Sequence, residues 1–217
     1  MTGRNLVTAL IRSGGIYGLT AEKFSLGRSN TAVVQAMLDA GIRIVQYREK
    51  TKTMGLKLEE CRQLRLMTAR AGAALIINDD IDLALLVGAD GVHVGQEDLP
   101  VAEVRRLVGE EVAIGLSTHA PAEALAAREL GADYIGVGPI FATQTKDDVC
   151  APVGLTYLDF VARENPLPFV AIGGIKKHNL AEVLRHGARC VAMVTEIVGA
   201  EDIAATVGGL QRILGQH

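Results

Sequence analysis

The chain has 217 residues, ample for a core-bearing domain, and 49% apolar against 22% charged residues excludes wholesale disorder. Its 22 Lys and Arg against 25 Asp and Glu leave a net charge of −3 with no long basic run, and no Trp with only 4% aromatics argues against a nucleic-acid surface. Cys61, Cys150 and Cys190 are scattered without C-x-x-C spacing, which indicates neither disulfides nor zinc, and no run approaches the roughly 18 apolar residues of a membrane span. A soluble, cytoplasmic protein is expected.

Short apolar segments alternate with longer amphipathic ones. The predicted strands are Ile16–Leu19, Ile42–Tyr47, Ala74–Ile77, Gly91–Val94, Ala113–Leu116, Tyr134–Val137, Phe169–Ile172 and Cys190–Val194. The clearest helices fall at Thr31–Ala40, Leu56–Ala71, Pro121–Leu130 and Asn179–His186. Four helix ends carry glycine (Gly41, Gly72, Gly131 and Gly187), which can close a helix in the left-handed conformation. Continuous apolar strands separated by helices imply a parallel sheet covered on its faces. Eight strand–helix units in so short a chain favour a closed (β/α)8 TIM barrel in a single α/β domain over an open sheet. The first 13 residues are expected to add a helix at the barrel's lower end.

In such barrels function sits where strands end. The second strand ends in Gln46-Tyr47-Arg48-Glu49-Lys50, and alternation places Gln46, Arg48 and Lys50 on one face. One amide and two cations suit a phosphate or diphosphate, although the same residues would serve as a solvated charged loop. The third strand breaks into Asn78-Asp79-Asp80, and the fourth leads to Gly95-Gln96-Glu97-Asp98. Hard carboxylate oxygens facing a cationic site suggest Mg2+, while Asp79 or Asp80 could equally cap the next helix. The fifth strand ends in Ser117-Thr118-His119, without the sharp elbow of a nucleophilic serine. His93 reads more simply as a satisfied barrel histidine than as a base. A long loop follows the sixth strand, bearing Thr143, Thr145 and Lys146, and the last two strands end in Gly173-Gly174 and Val194-Thr195. Backbone N–H groups at such glycines can approach a phosphate. Two anion sites in one mouth imply two phosphorylated small molecules, or one molecule with phosphates at both ends.

These segments, in this order from about residue 16 to residue 198, resemble the thiamine phosphate synthases. The resemblance rests on Gln46–Lys50, Asn78-Asp79, the run from Gly88 to Asp98, Ser117–His119, Tyr134 to Lys146, Ala171–Ile175 and the last strand end. It implies a transferase that joins a hydroxymethylpyrimidine diphosphate to a thiazole phosphate and releases pyrophosphate. It further implies that Gln46, Arg48, Lys50 and Lys146 hold the diphosphate, and that Asn78 and Ser117 contact the same substrate. Arg48, Lys50 and Lys146 would stabilise the departing group. Asp79 and Asp98 would hold magnesium, and Thr143, Thr145, Gly174, Val194 and Thr195 the thiazole phosphate. Three positions depart from the family pattern: Ala21 for a frequent Asp, Ala142 for a usual Pro, and Thr195 for a common Ser. A thiazole tautomerase relative would lack the intact Gln46/Arg48/Lys50 and Asp79/Asp98 sets. A sugar-phosphate isomerase would want a placed base, and a non-catalytic sensor could lose the metal pair. The sequence leaves room for a homo-oligomer.

Overall fold

Eight short strands pair in parallel, each with the next, and the eighth returns to the first, closing a barrel. In this computed structural model, which describes residues 1–143, 145 and 150–216, the strands are β1 (Gly15–Leu19), β2 (Ile44–Tyr47), β3 (Ala74–Asn78), β4 (Gly91–Val94), β5 (Ala113–Thr118), β6 (Tyr134–Val137), β7 (Phe169–Ile172) and β8 (Cys190–Ala192). The helices are α1 (Gly3–Ser13), α2 (Asn30–Asp39), α3 (Met54–Arg70), α4 (Ile81–Val87), α5 (Val101–Val108), α6 (Pro121–Glu129), α7 (Gly154–Glu164), α8 (Leu180–Arg185), α9 (Thr195–Val198) and α10 (Ile203–Leu214).

Alternation along each strand divides the core in two. Val45, Tyr47, Leu75, Ile77, Val92, Ile114, Ile135 and Val191 face outward and pack under the helices. Tyr17, Leu19, Ile44, Ala74, Ile76, Ala113, Tyr134, Val170 and Ala192 form a separate interior cluster. That inner cluster includes Val7 and Ile11 of α1, so the helix lies across the lower end and stoppers it. The same end is tied by Asp133, whose carboxylate accepts from Arg4 Nε (2.6 Å), an Arg105 guanidinium nitrogen (2.7 Å) and Ile114 N (2.8 Å).

The predicted strand at Ile42 begins two residues later, because Ile42 N instead donates to Met37 O (3.0 Å) and closes α2. Strand β8 ends before Val194, which turns out of extended geometry (φ −78°, ψ −78°) to start α9. The four expected helix-closing glycines all take positive φ, between 62° and 94°.

Candidate active site

The loop after β2 is built outward from Tyr47. The Tyr47 hydroxyl donates to Glu60 Oε2 (2.7 Å), Asn30 Nδ2 donates to the same oxygen (3.1 Å), and Lys52 pairs with both Glu60 and Glu22. Burial alone would push the Glu60 carboxyl up, but the hydrogen bonds from Lys52, Tyr47 and Asn30 hold it below the usual carboxylate range. Thr20, at the end of β1, accepts from Arg48 N (2.8 Å) and donates back to Arg48 O (3.3 Å). These contacts fix the backbone of Arg48. Among the described residues, Arg48 Nε is the one buried side-chain nitrogen or oxygen without a hydrogen-bond partner.

Lys50 reaches across to pair with the Asp79 carboxylate. Asp79 has φ +61°, a left-handed conformation that Asp tolerates better than most residues, and its N–H donates to His93 O (3.0 Å). Asp80 stands at the N-cap of α4 without making a side-chain cap; its carboxylate takes Lys57 Nζ (2.7 Å). The alternative reading of Asp80 as a side-chain cap is therefore not realised. Asp98 lies on the exposed rim and accepts from Gly95 N (2.7 Å) in its own loop.

Gln46 is buried inside the barrel, where its Nε2 donates to the Tyr17 hydroxyl (2.9 Å). Across the interior, Ser117 Oγ lies 3.0 Å from His93 Nε2, and Gln96 Nε2 donates to Ser117 O (2.6 Å). Asn78 is in register with His93 on the neighbouring strand. His119 bridges two strand ends: its Nδ1 lies 2.5 Å from Gly138 O, and its N–H donates to Glu123 (2.7 Å). That is a structural role.

The second group of residues lies on the opposite side of the mouth. Thr143 and Thr145 join their hydroxyls (3.0 Å). Thr195 accepts from Lys176 Nζ (2.6 Å), which also stands 3.5 Å from Glu196. Asn179 braces the preceding turn, accepting from Lys176 N (2.7 Å) and donating to Gly174 O (3.1 Å). Gly173 and Gly174 take φ of 99° and 63°, and a Cβ on Gly174 would lie 2.7 Å from Ala142 O. Only glycine lets this turn sit against the loop after β6. A cavity of about 470 Å³ opens behind Thr195, between α9 and α10. Lys146 lies outside the described residues.

The structure thus brings Lys50 to Asp79, aligns Asn78 with the His93–Ser117 pair, and sets Gly174 under the loop bearing Thr143 and Thr145. It does not join Asp98 to Asp79 directly. Among the described residues no three of His, Cys, Asp and Glu gather as a metal cage. The sequence reading missed Lys176 and Asn179, and gave no role to Tyr17 and Tyr134. Only the i+3 relation of Lys176 to Asn179 hinted at the turn. No helix among the described residues is long and apolar enough to cross a membrane.

A family model described as thiamine monophosphate synthase matches residues 16–197. The chain is 62% identical over 201 residues to a thiamine-phosphate synthase of Pelotomaculum thermopropionicum, covering 93% of this chain and 92% of that one. It is 57% identical over 199 residues to one from Caldicellulosiruptor bescii, covering 92% and 91%. The solved structure of a thiamine phosphate pyrophosphorylase from Pyrococcus furiosus superposes with a TM-score of 0.87 at 31% identity, covering 95% of this chain and 98% of that one. With the family model spanning most of the barrel and these relatives matching nearly end to end, the chain belongs to the thiamine monophosphate synthase family.

Proposed function

We propose that the upper mouth joins a 4-amino-2-methylpyrimidine carrying a 5-methylene diphosphate to a thiazole carrying a phosphooxyethyl arm, giving thiamine monophosphate and pyrophosphate. The observation that carries the assignment of sites is the buried, partnerless Arg48 Nε. A guanidinium held by its backbone with an unused donor is a preorganised half of a diphosphate site. Lys50 adds a second cation, already beside Asp79. Gln46, Asn78 and Ser117 face the pyrimidine from the strands below. Lys146 completes the diphosphate contacts. Thr143, Thr145, Gly174, Val194 and Thr195 receive the thiazole phosphate.

The donor chemistry of Asp79 and Asp98 fits Mg2+, an ion commonly held by one or two carboxylates together with substrate phosphates and water. When bound there it neutralises charge on the diphosphate. The chain's own residues supply the rest. Arg48, Lys50 and Lys146 stabilise the negative charge that grows as the methylene–oxygen bond breaks. The cation left on the pyrimidine methylene is spread over the amino-substituted ring. Anchoring of the thiazole phosphate brings the ring nitrogen to that carbon, so the bond forms between two held partners. No protein nucleophile is needed.

The test is a coupling assay with both substrates, with and without magnesium, the product being read by mass. Product only when both substrates and metal are present supports the whole reading. Binding of the thiazole phosphate without product would return the protein to a tautomerase-like role.

A further inference from the structure

We propose that the interior chain Gln46–Tyr17–Tyr134–His93–Ser117 is a positioning relay that sets the hydrogen-bond polarity of both its ends, so that Tyr17, Tyr134 and His93 determine selectivity for an aminopyrimidine ring. The inference rests on the reading of the mouth given above. It adds three residues that the reading above assigns to neither substrate.

The chain is continuous. Gln46 Nε2 donates to Tyr17 Oη (2.9 Å), Tyr17 Oη meets Tyr134 Oη (3.0 Å), Tyr134 Oη meets His93 Nδ1 (3.1 Å), and His93 Nε2 meets Ser117 Oγ (3.0 Å). It crosses the barrel from β2 to β5 by way of β1, β6 and β4. Both tyrosines lie in the interior cluster, with Tyr17 3% and Tyr134 0% exposed. Their phenols are raised above the ordinary value by burial, so each keeps its one proton. The barrel makes room for the middle of the chain. His93, Gly115 and Tyr134 are in register on adjacent strands, and a Cβ on Gly115 would fall 2.5 Å from the Tyr134 hydroxyl and closer still to the His93 ring.

Proton counting fixes the order. Gln46 Nε2 can only donate, so the single Tyr17 proton is free for Tyr134. If Tyr134 donated to Tyr17 instead, the Tyr17 proton would be buried without an acceptor, which native interiors avoid. Tyr134 therefore donates to His93 Nδ1, the His93 hydrogen sits on Nε2, and it goes to Ser117 Oγ. Ser117 then holds its own O–H free for the mouth. At the other end Gln46 Oε1 has no protein partner among the described residues and is not sealed from solvent. One end of the relay offers an acceptor and the other a donor. Reversal requires the amide, both phenols, the imidazole and the serine to turn over together, so the two ends always carry opposite polarity.

An aminopyrimidine presents an amino donor and ring-nitrogen acceptors. Replacing the amino group by oxygen turns the donor into an acceptor and places hydrogen on the ring. An intact relay opposes that exchange at both ends, and a broken one lets each end turn independently.

Two measurements test this. In Tyr17→Phe and Tyr134→Phe the ratio of kcat/KM for the amino substrate over its oxo analogue should fall by about tenfold or more, with the KM for the thiazole phosphate unchanged. A merely structural loss would move both substrates together. Retention of the wild-type ratio in both folded variants overturns the relay. In the unmodified enzyme, nitrogen NMR of His93 should report hydrogen on Nε2; hydrogen on Nδ1 overturns the proposed polarity, and this holds even if a variant fails to fold. Absence of any turnover of the amino substrate by the wild type would instead refute the functional reading itself.

Discussion

Gly174 packs directly against the loop after β6, and Gly174→Ala tests how the thiazole phosphate side is held. The added methyl would lie 2.7 Å from both Ala142 O and Phe141 Cβ, whereas ordinary contact begins at 3.4 Å, so the loop must retreat from 2.7 to 3.4 Å, by about 0.7 Å. Alanine at φ +63° adds a backbone cost of about 1–2 kcal/mol. For a chain of this size that lowers Tm by roughly 2–8 °C at about 2–4 °C per kcal/mol. The catalytic loss should be larger, because a misplacement near 1 Å can cost about 100-fold when two reactants must be aligned. We expect kcat/KM for the thiazole phosphate to fall about 30- to 100-fold, with KM for the pyrimidine diphosphate nearly unchanged. Steady-state coupling with each substrate varied in turn measures both. An unaltered thiazole dependence, or a loss confined to the pyrimidine substrate, would refute the assignment of this turn.

Arg48→Lys keeps the charge but loses the fork, and should raise KM for the pyrimidine diphosphate about tenfold, some 1.4 kcal/mol, without moving the thiazole phosphate; equal effects on both would contradict separate sites. Asp133→Ala strands Arg105 and a buried N–H at the lower end, and since Arg4 is partly exposed the cost is set at about 3 kcal/mol, a Tm loss of roughly 6–12 °C by calorimetry. Its activity at 25 °C should match wild type, and a selective kinetic defect would argue against a purely structural role. Burial pushes the Cys190 thiol up to about 12; burial, with the Glu60 charge added, does the same for Cys61. Their ordinary value is 9.0, so the unfolded chain releases these protons first. The raised folded values stabilise below pH 9, and that contribution is lost as pH climbs from 9 toward 12. Urea midpoints should fall over that range and fall less in Cys190→Ala; a flat profile would exclude the mechanism.

The barrel was legible because the strands are short apolar runs and several of them follow a glycine-closed helix, a purely local pattern. Strand ends were less so. Ile42 is as apolar as any strand residue, yet a hydrogen bond back to Met37 claims it for the helix end. The cationic run from Gln46 to Lys50 marked a mouth, but alternation alone placed Gln46 beside Arg48 and Lys50. In the fold it lies buried below them, tied to Tyr17. Tyr17 and Tyr134 looked like core residues from sequence, and by burial they are. Their hydroxyls matter only because barrel closure brings β1 against β8 and lets β1, β4 and β6 meet inside. Nothing within a few residues of either tyrosine encodes that meeting. Lys176 was hidden for the same reason, since its partner Thr195 lies 19 positions away on the next unit.

With Val7 and Ile11 filling its foot, the barrel is a well and not a tunnel. Two substrates and two products must share one aperture. On the proposed assignment, a ring resting on Gln46 and Ser117 would lie beneath whatever the loops of β6 to β8 hold above it. Order of entry and exit would then be a matter of depth: the deeper guest would come first, and nothing would leave from under a guest that had not yet gone.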